Sequence, residues 1–283
     1  MEIKRIAVIG AGAMGTGIAY QAARFGIEVN LNDIKDEFIA KGINSIKSMV
    51  KTGVDKGKLD LKDAKAIVDG IKKVVDLKEA VQDVDMVVEA IFENMEVKKD
   101  LFKKLDEYAK PHTILATNTS SLSVTEIASA TKRPDKVVGT HFFNPVYTMK
   151  LVEVVIGEKS SEETIETAIA FSKKLDKTPV KVKDSPGFIV NRVLIPVLTE
   201  AVKIFQEGLA TAEDIDTAMQ LGANFPAGPL QLADFVGLDI ARATAETLEK
   251  GFGKCYAPPK LLVEKVDKGE LGMKSGKGFY EYT

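Results

Sequence analysis

Residues 5–15 read RIAVIGAGAMG. A short apolar run ends in a glycine-rich turn, and the residues from Met14 to Phe25 continue as a helical pattern closed by Gly26. A G-x-G-x-x-G spacing means little alone. Between a strand and a helix it reads as a dinucleotide-binding turn. Each glycine has its own reason there. Gly10 permits the tight turn, Gly12 lets the backbone approach a pyrophosphate, and Gly15 lets the helix pack close on the strand. Ala13 and Met14 open that helix, whose free N–H groups and positive dipole end suit phosphates. A second strand, EVNLND at 28–33, ends on Asp33. A carboxylate at this point accepts hydrogen bonds from both ribose hydroxyls and repels a 2′-phosphate, which favours NAD over NADP. Lys35, close by, softens that preference.

Working outward, the first half repeats the pattern. MVVEAI (86–91), TILAT (113–117) and KVVGTH (136–141) read as short buried strands separated by helical stretches such as 96–108. Such alternation indicates βαβ units and a parallel sheet. KLVEVVIG (150–157) has no helix before it and is expected to pair antiparallel to its predecessor. After VKVKDSPG (180–187) the patterns turn helical. Asp184 or Ser185 suits an N-cap and Pro186 a first turn. The run to Phe205 is apolar nearly all round, predicting a buried helix kinked at Pro196. Thr211 and Asp214 resemble a capping box, with Gly222 at the far end, and further helices are expected at 229–250 and 258–268. The fold class is therefore α/β. A Rossmann-type dinucleotide-binding domain over 1–184 is followed by an all-helical C-terminal domain over 185–283.

Composition narrows the possibilities. A net charge of −2 over 283 residues gives no basic field for nucleic acid or an anionic membrane. The single cysteine, Cys255, excludes an intrachain disulfide and a multi-cysteine metal site. No run approaches the ~18 apolar residues of a membrane span. The N-terminus leads into a glycine turn instead of a cleavage site. A cytoplasmic protein with no resident metal is expected.

One of the two histidines, His141, lies in GTHFFNPV (139–146), at the carboxyl end of the strand KVVGTH. Open α/β sheets bind ligands at that edge. ATNTSSL (116–122) ends another strand in the same way, so Asn118, Ser120 and His141 can converge on one crevice. His112, in a turn after Pro111, lacks such a setting.

Together, GAGAMGTGIA, NTSSLSVTEIA, HFFNPVYTMKLVEV, DSPGFIVNR and GKGFYEY resemble the L-3-hydroxyacyl-CoA dehydrogenases, in order and over essentially the whole chain. The likeness is greatest to the short prokaryotic 3-hydroxybutyryl-CoA dehydrogenases. It implies NAD-dependent oxidation of (S)-3-hydroxyacyl-CoA thioesters in fatty acid and butanoate metabolism. His141 would be the general base and Glu153 its carboxylate partner. An imidazole with an ordinary pKa near 6.5 suits that role. The resemblance also implies Ser120 as hydrogen-bond partner of the substrate hydroxyl and Asn191 as holder of the substrate oxygen. Glu93 and Lys98 would lie near the nicotinamide ribose, Asn118 and Asn144 beside the ring, with Lys274 reaching back towards the cofactor. Lys51 and Lys58, in the basic stretch 47–59, are candidates for the phosphates of coenzyme A. A homodimer through the helical domain is implied too, and its apolar helices carry more apolar surface than one short domain buries. Two other readings remain at this point. One is a hydroxy-acid dehydrogenase for a substrate without coenzyme A, such as L-gulonate. The other is a non-catalytic NAD(H)-binding protein.

Overall fold

A computed structural model of the protein describes residues 1–282, in two units, Met1–Ser185 and Pro186 onward. The first unit runs β1 (Arg5–Ile9), α1 (Ala13–Arg24), β2 (Glu28–Asn32), α2 (Asp36–Asp55), α3 (Leu61–Asp69), β3 (Ile71–Lys73), α4 (Leu77–Val81), β4 (Met86–Glu89), α5 (Met95–Tyr108), β5 (Ile114–Thr117), α6 (Val124–Ala128), β6 (Val137–Phe142), β7 (Leu151–Ile156), α7 (Glu162–Lys174) and β8 (Thr178–Lys183). Its strands form one sheet in the order β3-β2-β1-β4-β5-β6-β7-β8. β1 to β6 are parallel; β7 runs antiparallel to β6 and parallel to β8.

The strands MVVE, ILAT and VVGTHF are buried at every residue, as a sheet covered on both faces requires. Val8, Leu31 and Val88 of the sheet share a core with Ile18 of α1, Ile46 of α2 and Phe171 of α7. Chain order reverses at β1, with β2 on one side and β4 on the other, so a ligand crevice opens past the carboxyl ends of β1 and β4. Local residues start the helices. Asp60, Asp76, Asn94, Ser123 and Ser161 each accept a hydrogen bond from the N–H three residues on, ahead of α3 to α7.

The second unit holds α8 (Val190–Gln206), α9 (Ala212–Ala223), α10 (Pro229–Val236), α11 (Leu238–Phe252) and α12 (Lys260–Asp267) around Leu198, Leu230, Leu238, Leu248 and Leu262. Thr211 caps α9 by accepting from Asp214 N, as its spacing predicts.

Several boundaries differ from the sequence reading. Asp184 does not cap α8. Its carboxylate accepts from Ser123 Oγ (2.7 Å) and Thr125 N (2.8 Å), at the start of α6. Gly187 (φ 72°) and Phe188 (φ 51°) are left-handed, so α8 begins at Val190 and not at Pro186. α8 continues through Pro196 and is buried on one face only: Leu198 and Val202 are inside, whereas Val193 is 65% exposed. The single helix expected over 229–250 is two, because Gly237 takes φ 99° between α10 and α11. α9 runs one residue past Gly222 and ends on left-handed Asn224. β3, three residues long, had no apolar pattern to announce it, and the alternation of Val180 and Val182 with Lys181 and Lys183 in β8 was not read as a strand.

Candidate active site

The glycine turn is built as its spacing predicts. Gly10 has φ 104°, and a Cβ there would lie 2.6 Å from Ala90 O, across the crevice. A Cβ on Gly15 would lie 1.8 Å from Gly10 O, so helix and strand approach closely only with glycine. Gly12 differs. A Cβ there meets no protein atom within 4 Å, so no contact within the protein demands glycine at this position. The open space leaves room for a ligand to touch the backbone, which fits a pyrophosphate. Gly12 leaves the α1 N-terminus without a side-chain cap, so the N–H groups at Ala13 and Met14 remain suited to an anion. Asp33 is tied to this turn: Oδ2 accepts from Ala11 N and Oδ1 from Ile34 N, both at 2.7 Å. Two carboxylate oxygens hold about four acceptor sites, so capacity is left for ribose hydroxyls. The residues present therefore fit NAD.

His141 and Glu153 face one another across the β6–β7 ladder as direct register partners. Nδ1 lies 2.7 Å from Glu153 Oε2, with both side chains buried. The Phe143 ring packs on the imidazole, centroids 4.4 Å apart. A carboxylate bound at Nδ1 fixes the tautomer and leaves proton exchange to Nε2. Asn118, just past β5, accepts from Phe142 N at 2.9 Å and so ties that strand end to the end of β6.

Ser120 and its neighbours are organised by Glu93. Its Oε1 accepts from Ser120 N (2.9 Å), Ser121 N (3.1 Å), Thr119 Oγ1 (2.5 Å) and Ser120 Oγ (3.3 Å). Burial pushes the Glu93 carboxyl up. Lys98 and the bonds from Thr119 and Ser120 outweigh it, holding the carboxyl below the usual carboxylate range. Lys98 itself is 1% exposed, with Nζ 2.6 Å from Glu89 and 3.3 Å from Glu93. Glu89, fully buried at the end of β4, also accepts from Thr117 Oγ1 (2.7 Å) and Ile91 N (2.8 Å). Sequence reasoning missed Glu89, Thr117 and Thr119. The signal for Glu89 was present: one acid closing an otherwise apolar strand, as Glu153 interrupts another.

The remaining candidates are placed as follows. Asn144 is exposed in the β6–β7 turn. Lys51 on α2 and Lys58 in the turn after it are exposed. Asn191 is half-buried in the first turn of α8, in the second unit. Lys274 is held by both carboxylate oxygens of Asp239 at 2.5 and 2.6 Å, within the second unit.

Comparison with known proteins agrees with this construction. Residues 5–185 match the family described as 3-hydroxyacyl-CoA dehydrogenase, NAD binding domain, and residues 187–282 its C-terminal domain. The chain is 48% identical to 3-hydroxybutyryl-CoA dehydrogenase of Clostridioides difficile over 99% of each chain. It is 44% identical to human mitochondrial hydroxyacyl-coenzyme A dehydrogenase over 99% of this chain and 91% of that one. Among solved structures, (S)-3-hydroxybutyryl-CoA dehydrogenase PaaH1 from Ralstonia eutropha superposes with a TM-score of 0.96 at 41% identity over the whole of both chains. With both family domains matched in order and full-length relatives above the level at which families are shared, the chain belongs to the NAD-dependent 3-hydroxyacyl-CoA dehydrogenase family.

Proposed function

We propose that the protein catalyses reversible oxidation of (S)-3-hydroxybutyryl-CoA to acetoacetyl-CoA, with His141 as general base. The observation that carries this is the buried 2.7 Å His141–Glu153 pair at the carboxyl edge of a nucleotide-binding sheet. His141 donates Nδ1–H to Glu153, and Nε2 takes the proton of the substrate hydroxyl. Glu153 stabilises the imidazolium as it forms. NAD, when bound, supplies the acceptor for the hydride leaving C3. In the reverse direction the imidazolium returns its proton to the carbonyl oxygen.

Ser120 hydrogen-bonds the substrate hydroxyl in this reading, and Asn191 holds the substrate oxygen. Glu93, held ionised by Lys98, keeps the Ser120 backbone in place. Asp33 reads the adenosine ribose; Asn118, Asn144 and Lys274 serve the nicotinamide end; Lys51 and Lys58 meet the phosphates of coenzyme A. The choice of the four-carbon thioester is supported by the substrate named for the relatives from Clostridioides difficile and Ralstonia eutropha. A cytoplasmic homodimer joined through the second unit completes the proposal. No helix among the described residues is long and apolar enough to cross a membrane.

The test is oxidation of NADH and NADPH with acetoacetyl-CoA, longer 3-ketoacyl-CoAs and free acetoacetate. NADH oxidation greatest with acetoacetyl-CoA is expected. Turnover of acetoacetate without turnover of acetoacetyl-CoA would defeat the proposal.

A further inference from the structure

Lys177, in the turn between α7 and β8, is buried, although lysine is almost never fully enclosed unless paired. Its Nζ donates to the carbonyl oxygens of Val146 (2.5 Å) and Met149 (2.9 Å). Burial pushes its pKa down; Lys150 and Arg24 act in the same direction, and Asp176 opposes them. Both carbonyls belong to residues 143–150, the segment that joins the strand of His141 to the strand of Glu153 and carries Asn144. Inside it, Thr148 N and Met149 N both donate to Pro145 O at 3.0 Å. The turn thus spends its own donors on one carbonyl, and Lys177 supplies donors for two others.

The same segment is docked on α1, the helix that begins at the glycine turn. A Cβ on Gly17 would lie 2.9 Å from Val146 Cγ2, so glycine is what lets Val146 seat there. Tyr147 meets Tyr20 edge-on, with centroids 6.2 Å apart. Gln21 Nε2 donates at 2.8 Å to Leu175 O, in the turn that carries Lys177. Positions 17, 20 and 21 lie on one face of α1, at spacings of three and four. One face of the helix behind the pyrophosphate site therefore contacts the segment between the two catalytic strands, and Lys177 holds that segment by its backbone.

We propose that Lys177 is a positioning residue, whose ammonium anchors residues 144–149 against α1 and so fixes the spacing between the nucleotide turn and the His141–Glu153 pair. The inference rests on the reading of Asn144 as a neighbour of the nicotinamide. Methionine at 177 would fill similar volume while leaving the carbonyls of Val146 and Met149 without that donor.

The experiment compares Lys177→Met, Asn144→Ala and the double variant, by NADH fluorescence titration and by kcat and KM with acetoacetyl-CoA. Lys177→Met is expected to weaken NADH roughly tenfold and to lower kcat by roughly ten- to a hundredfold, the scale on which small misplacements act. KM is expected to change less than kcat, and the double variant to be far less impaired than the product of the singles, since coupled sites fail additivity. A lower melting temperature with NADH affinity and kcat within about twofold of the parent would overturn the inference, because a merely structural lysine behaves so. If Asn144→Ala weakens NADH and Lys177→Met does not, the anchoring fails while the site reading stands. If Asn144→Ala is silent and Lys177→Met is not, the placement of Asn144 fails while the anchoring stands. Should Lys177→Met not fold, Lys177→Gln, which keeps an amide donor, is expected to show an intermediate loss of kcat; parent-like kcat and NADH affinity would again overturn the inference.

Discussion

His141 and Glu153 are twelve residues apart in the chain and 2.7 Å apart in space. The pair forms because β6 returns as β7 through a short turn, and antiparallel register sets the two residues directly opposite. His141→Ala is expected to lower turnover by roughly 10²–10⁴ while NADH still binds, as loss of an acid–base group does; stopped-flow turnover beside NADH titration checks this. Glu153→Gln keeps the shape and removes the charge that favours the imidazolium. Its kcat is expected to fall and its pH profile to move, and a profile superimposable on the parent's would dissolve the pair's role. Lys98 acts between two acids. Lys98→Met leaves the fully buried Glu89 without its cation, a change expected to remove about 3–5 kcal/mol of stability in denaturant titration. The strand-end position of His141 was legible in the sequence. The enclosure of Lys98 was not, because a lysine in a charged helix reads as solvated until the partners at β4 are known.

At the scale of the element, strand, turn and helix from Arg5 to Arg24 act as one device whose glycines are separable by experiment. Gly12→Val meets no protein atom near its Cβ and has an ordinary φ of −72°, so the melting temperature is expected to hold. NADH affinity is expected to fall by about tenfold or more, a loss of at least one 1.4 kcal/mol step. Gly15→Ala drives a Cβ into Gly10 O and is expected to lower stability by about 1–3 kcal/mol, as overpacking does. Calorimetry with titration distinguishes the two; equal melting losses would remove the distinction. Elements of this kind were legible because their residues carry their own constraints. The start of α8 was not. Asp184 has the chemistry of a cap, but its carboxylate serves the start of α6, and α8 begins six residues later at Val190. Likewise Gly237, which looks tolerable inside a helix, splits 229–252 once its backbone turns left-handed.

For the whole molecule, the second unit leaves Val193, Leu209, Leu221, Phe235 and Ile240 at least half exposed, on α8, on α9 to α11 and in the turn between α8 and α9. These side chains are the candidates for the interface of the proposed homodimer, since a contiguous exposed apolar patch marks an interaction surface. A mass in solution twice that of the chain is expected from light scattering, and Leu221→Lys with Phe235→Lys is expected to shift it towards the monomer. A monomeric mass for the parent would reject the dimer. The alternation of the first unit and the helical second unit were legible as patterns. The sheet's extension by β8 was not read, although Val180 and Val182 alternate with Lys181 and Lys183, because four residues of alternation leading into a turn are a short signal.

Sequence by itself determined the glycine-rich turn, the parallel sheet that follows from it, the acid just past the second strand, and the histidine at a strand end. These are local properties: φ freedom, apolar periodicity and the chemistry of one side chain. Tertiary structure alone decided which buried charges neutralise one another, which helix receives Asp184, and that Lys177 donates to Val146 and Met149 in the turn between β6 and β7. Those outcomes depend on distances between residues far apart in the chain, and the free energy of a charge or a hydrogen bond is set by the partner the fold brings to it.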